Sequence, residues 1–217
     1  MHKKLMAACV SLVAFAAFAI APALASASPV LTSGGSAVAV GSTITGQSTN
    51  TLLTTTSGTI TCQTADLAGT LTTNNGTEVA GEITSASYTG TGTSSRCTST
   101  ISDLLGGTVT AQVTIENLPW CLTGTAGAEM IWHLKACTAG QNLKFTLHLF
   151  NHFGSALTTC VYEAASVTGT YATNVNANQL TATEQPFNSS SGGVCPTTGK
   201  VDQTVTLTTG GAATTIS

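Results

Sequence analysis

Apolar side chains alternate with threonine and other small polar residues at a period of two along nearly the whole chain after residue 27. Val109, Ala111, Val113 and Ile115 alternate with Thr108, Thr110, Gln112 and Thr114, and Val201, Val205 and Leu207 with Asp202, Thr204 and Thr206. Successive side chains on a strand point to opposite faces, so such a run is a half-buried strand and cannot be an amphipathic helix. Met130–Ala136 and Leu143–Phe150 alternate in the same way, and the Ala139-Gly140 region between them suits a hairpin turn. Further strands are expected at 37–44, 59–64, 67–73, 78–88, 158–163, 166–173 and 179–183, with Asn74-Asn75-Gly76 as a tight turn. The pattern predicts an all-β chain: an antiparallel β-sandwich or barrel of about ten short strands.

Composition supports this and removes other classes. All 43 threonines lie at or after Thr32, and β-branched threonine favours strands. With 42% hydrophobic and 7% charged residues the chain is no disordered polyelectrolyte. The first 27 residues read as an export signal. His2, Lys3 and Lys4 precede an apolar run from Leu5 to Ile20, and Ala23-Leu24-Ala25 and Ala25-Ser26-Ala27 offer cleavage sites. Segment 28–56 is patterned loosely and is expected to be an arm; 57–217 is expected to be one β-domain, either with two repeated halves or without. After the signal only Arg96, Lys135, Lys144 and Lys200 oppose nine acids, which leaves nucleic-acid binding without an electrostatic basis. The expected product is secreted, with no membrane span once the signal is removed.

Cys9 falls in the signal, leaving Cys62, Cys97, Cys121, Cys137, Cys160 and Cys195, an even set in an exported chain, which argues for a disulfide-stapled fold. No CxxC pair occurs, and the spacings of 35, 24, 16, 23 and 35 do not suit a zinc knuckle. Gly69-Thr70-Leu71-Thr72-Thr73-Asn74 follows Cys62 as Gly169-Thr170-Tyr171-Ala172-Thr173-Asn174 follows Cys160. Read as a repeated unit, this predicts bridges Cys62 to Cys97 and Cys160 to Cys195, with Cys121 to Cys137 between them; read as chance likeness in a Thr- and Gly-rich chain, it predicts nothing.

Reactive constellations are sparse. His148 and His152 stand at i and i+4 on a strand, about 13 Å apart, with His133 on the neighbouring strand, a poor geometry for one metal ion. Glu116 and Glu129 flank Trp120 and folding can bring them together for glycoside chemistry, but nine acids dispersed over such a chain make accidental pairs easy. No nucleophile elbow, HExxH helix, phosphate loop or EF-hand run occurs. No catalytic residue, metal or cofactor is therefore expected. Trp120, beside Cys121, reads as a core residue packed on a bridge. The face carrying Ile131, His133, Lys135, Lys144, His148 and Phe150 departs from the threonine pattern and is the expected interaction surface.

A Cys-bounded Thr/Gly strand region leads into a strand ending in Asn117-Leu118-Pro119-Trp120. Cys160-Val161-Tyr162 with a Gly169-Thr170-Tyr171 strand follows, then Cys195-Pro196 before a final strand. Over about residues 58 to 208 this resembles small secreted proteins of unknown function from high-GC Gram-positive bacteria. More distantly it resembles the exported protein activator of alkane oxidation family. The resemblance implies a secreted β-protein associated with surfaces, biofilm or hydrophobic growth substrates, with no catalytic residues to carry over. Together these readings predict a secreted, non-enzymatic structural or interaction protein whose partner is extracellular matrix, a cell-surface polymer or a second copy of itself. The competing expectation is a carbohydrate-binding module, which requires two or three exposed aromatic rings on one face, and behind it a secreted hydrolase.

Overall fold

The computed structural model describes residues 30–91, 95–125, 130–171, 179–191 and 195–216. The expected export signal lies outside the described residues, and so does Glu129. Among the described residues there is no helix, and hence none long and apolar enough to cross a membrane. The described residues form 15 strands, more than expected because several are short. These are β1 Leu31–Ser33, β2 Ser36–Ala37, β3 Thr43–Thr55, β4 Gly58–Asn74 and β5 Glu78–Thr89, then β6 Cys97–Ser102, β7 Thr108–Glu116, β8 Trp120–Thr125, β9 Met130–Ala136 and β10 Leu143–Phe150. β11 Ala156–Ala164, β12 Val167–Tyr171, β13 Gln179–Ser189, β14 Thr198–Thr209 and β15 Ala212–Ile216 complete the set.

Four long strands, in the order β13, β14, β3, β4, form a wall, and the antiparallel pairing closes on that wall twice. At one end, the upper, β5, β8, β9 and β12 bridge from β4 back to β13. At the lower end β6, β7, β10 and β11 do the same. The long strands divide their edges between the two rings. β4 pairs with β6 through Ile60 and Thr61 and with β5 from Thr64 onward. β13 pairs with β12 through Leu180 and Thr181 and with β11 through Asn188 and Ser189. The result is two closed barrels set end to end on shared strands, which leaves their strands few bare edges.

The wall strands bend where the barrels meet. β3 and β13 each place one extra residue against β14, and the bulges coincide with the positive φ of Asn50 and Glu184. Burial changes phase there: Gly46 and Ser48 face inward above Asn50, Thr51 and Leu53 below it. Leu180 and Ala182 face inward above Glu184, and Phe187 below it. One cluster of buried residues runs through both barrels, including Trp120, Trp132, Phe145, Tyr162 and Phe187. Trp120 is thus the core residue its position beside Cys121 predicts, and its indole N–H donates to the Glu116 carbonyl at 3.1 Å.

The expected arm is corrected on two counts. Thr43–Thr55 is a central wall strand, because its inward positions carry Gly46, Ser48 and Thr51, small residues that hide the apolar alternation. The residues before it cap the upper barrel. β15 folds back from β14 through Gly210 and Gly211, both at positive φ, and pairs with β1, which pairs with β2. Leu31 and Val38 bury against Leu71 in a small separate cluster, and the Asn74 amide bonds the Leu31 N–H and the Leu31 and Val38 carbonyls.

The three disulfides are Cys62–Cys97, Cys121–Cys137 and Cys160–Cys195, the connectivity that the repeated-unit reading predicts. The two 35-residue segments also pair alike. Thr64 opposes Thr89 and Thr70 opposes Glu82 in the first; Tyr162 opposes Ser189 and Thr170 opposes Thr181 in the second.

Candidate functional site

The expected hairpin of Met130–Ala136 and Leu143–Phe150 does not form. β9 pairs with β8 and β12 in the upper barrel, whereas β10 pairs with β7 and β11 in the lower. The segment between them spans the junction of the barrels and is tied by Cys137 to Cys121. Ile131, His133 and Lys135 are exposed on β9, separated from the β10 positions by this break. On β10 the polar groups already have partners. Lys144 Nζ lies 2.8 Å from Glu116, which also accepts from the Thr146 hydroxyl. Lys144 first, then Thr146, holds the Glu116 carboxyl below its ordinary pKa. His148 Nδ1 lies 3.2 Å from the Thr159 hydroxyl, and the Arg96 guanidinium sits 3.5 Å above the Phe150 ring. The six residues do not make one continuous face.

Nor do the three histidines converge. Among the described residues the only close set of three potential metal ligands is Glu82, Cys121 and Cys137, whose two sulfurs are consumed by their disulfide. Of the nine aromatic residues after position 27, Phe153 alone is exposed, so the flat multi-ring platform a carbohydrate module needs is not formed.

Where the described surface is most unusual is the lower end. The loop after β6 reads Asp103-Leu104-Leu105-Gly106-Gly107, and the loop after β10 reads Asn151-His152-Phe153-Gly154-Ser155. Both follow one rule: an Asx residue opens the turn and a glycine at positive φ closes it, as in a type I turn with a glycine bulge. Asp103 Oδ1 accepts from the Leu105 and Gly107 N–H groups, each at 3.0 Å. Asn151 Oδ1 accepts from Phe153 at 3.1 Å and Ser155 at 2.8 Å. The loops are then joined. Asp103 Oδ2 lies 2.6 Å from His152 Nδ1 and accepts from the His152 N–H at 3.2 Å. These bonds, His152 foremost, hold the Asp103 carboxyl down to about 2. A Cβ on Gly107 would sit 2.1 Å from His152 Nδ1, so only glycine at that position leaves the ring in place.

Polar bonds thus fix the backbone while apolar side chains point out. Leu104 is fully exposed, Leu105 is 74% and Phe153 72% exposed, and Leu157 is half exposed just beyond. Alternation at a period of two marks strands and leaves these loops unmarked. The available signal was an apolar residue two places after an Asx residue and directly before glycine, where a solvent turn ordinarily carries polar residues. Chemically, Asp103 orients the His152 ring as a carboxylate orients a general base. No hydroxyl or thiol among the described residues bonds the ring's other nitrogen, so the arrangement holds no activated nucleophile.

Comparison with protein-family models, with curated proteins and with solved structures finds no match.

Proposed function

We propose that the protein is a secreted, non-catalytic interaction protein that attaches to an apolar extracellular interface, lipid or hydrocarbon, through the paired loops at its lower end. The observation that carries this reading is the exposure of Leu104, Leu105 and Phe153 on loops whose backbones are hydrogen-bonded into fixed turns. Single side chains on two turn tips offer far less than the about 800 Å² per partner of a stable protein interface. Immersion in a fluid apolar phase needs no complementary partner surface, and each such side chain contributes about 1.5 to 3 kcal/mol on transfer. Three bridges in a chain whose first residues read as an export signal suit an oxidising, extracellular setting. The distant resemblance to exported proteins of hydrophobic growth substrates points the same way. In co-sedimentation with phosphatidylcholine vesicles and partition onto a hexadecane emulsion, wild type is expected to bind and a Leu105→Ser, Phe153→Ser double variant to lose at least tenfold in partition coefficient. Equal binding by the two at unchanged Tm would refute it.

A further inference from the structure

The interiors of the two barrels are not filled. The upper one holds a partly open space of about 130 Å³ and the lower one of about 100 Å³. Both are walled almost wholly by hydrocarbon, and they share a boundary at the bend of the wall strands, where Tyr88, Trp120, Trp132, Leu134, Ala182 and Gln203 line each of them. No lysine, arginine or histidine lines either space. The one amide side chain is Gln203, paired with Ala182 across the sheet. Its Oε1 accepts from the Tyr88 hydroxyl at 3.3 Å, while its Nε2 is buried and has no acceptor among the described residues. A buried donor without a partner is costly, and an apolar space with one convergent polar group is the usual form of a small-molecule site.

We infer that the joined cavities form a binding site for a neutral, slender apolar molecule that carries a hydrogen-bond acceptor near its middle, satisfied by Gln203 Nε2. A dry apolar cavity of about 150 Å³ accommodates benzene, so the two spaces together suit a molecule of roughly eight to ten heavy atoms. The absence of lining cations disfavours a carboxylate, which would be stripped of water without a counter-charge. The carbonyl of a dialkyl ketone or ester would meet Gln203 at the junction and send one alkyl arm into each barrel. This site lies inside the fold and is independent of the exposed loops at the lower end.

The only two tryptophans of the chain, Trp120 and Trp132, border both cavities, so their fluorescence reports occupancy directly. Titration with 5-nonanone is expected to give a saturable change and to raise Tm. Nonane should bind at least fivefold more weakly, the effect of one lost hydrogen bond, and nonanoate should not compete. Gln203→Leu is expected to bind ketone and nonane equally. Ala182→Phe, which fills the junction, should abolish both signals while leaving vesicle binding unchanged. The inference fails if wild type shows no saturable change with 5-nonanone, if nonane or nonanoate binds as tightly as the ketone, if the ketone preference survives in Gln203→Leu, or if Ala182→Phe binds as wild type does.

Discussion

At the scale of single residues, the most consequential side chain is Asp103, which ties its own loop and the neighbouring one through four hydrogen-bonding contacts to backbone N–H groups and the His152 ring. Its folded pKa of about 2 lies below the ordinary aspartate value of 3.8, so its contribution to stability is complete above about pH 4 and is lost as pH falls through that window toward 2. Asp103→Asn is therefore expected to have a lower Tm than wild type at pH 6, and the gap should close between pH 4 and pH 2. A gap of constant size down to pH 2 contradicts the assignment. Legibility at this scale was uneven. The disulfide partners followed from repeated strings, and Trp120 from its place beside Cys121. Gln203, by contrast, sits in a run of alternating threonines and valines, where nothing marks it as the inward-facing polar residue of β14.

Among the elements, strands whose inward residues stay in phase were read from the sequence with the correct bounds or nearly so: β7, β9 and β10. Those that fail are the strands whose phase shifts. The alternation of β3 is hidden because its inward set moves from even to odd positions at Asn50, and that of β13 breaks off where the same happens at Glu184. Two runs with perfect alternation, β9 and β10, were joined wrongly, since alternation says which face a side chain takes but not which barrel its strand enters. The bulge in β13 carries a strain that can be relieved. Glu184 holds a φ of 48°, which costs a residue with a Cβ about 1 to 2 kcal/mol, and its ion pair with Lys200 at 3.3 Å is solvent-exposed. Glu184→Gly is expected to raise stability by about 0.5 to 1 kcal/mol, after glycine's own entropy is deducted. Urea denaturation measures this. A drop in midpoint would mean that the carboxylate, not the backbone, fixes the bulge.

For the molecule as a whole, the all-β class and the disulfide staples were legible, but the choice between sandwich and barrel was not, because closure depends on how the long strands share their edges. Sharing makes the two barrels one cooperative body: neither can open without stripping half of the other's wall. The cap stands apart: its buried apolar residues are Leu31 and Val38, packed against Leu71 of β4 in a cluster of their own. Amides of β1 and β15 are expected to exchange with deuterium at a lower opening free energy than those of β3 and β14; uniform protection throughout would show that cap and barrels open together. The wall also sets the order in which the protein takes shape. Thr45 on β3 and its partner Thr208 on β14 are 163 positions apart. At about 5–20 residues per second of synthesis, the earlier strand waits roughly ten to thirty seconds for the later one to be made. Through that interval neither ring has a completed seam. The growing chain carries only antiparallel hairpins between strands already made, the longest of them β3 with β4, until β13 and β14 emerge to close both rings at once.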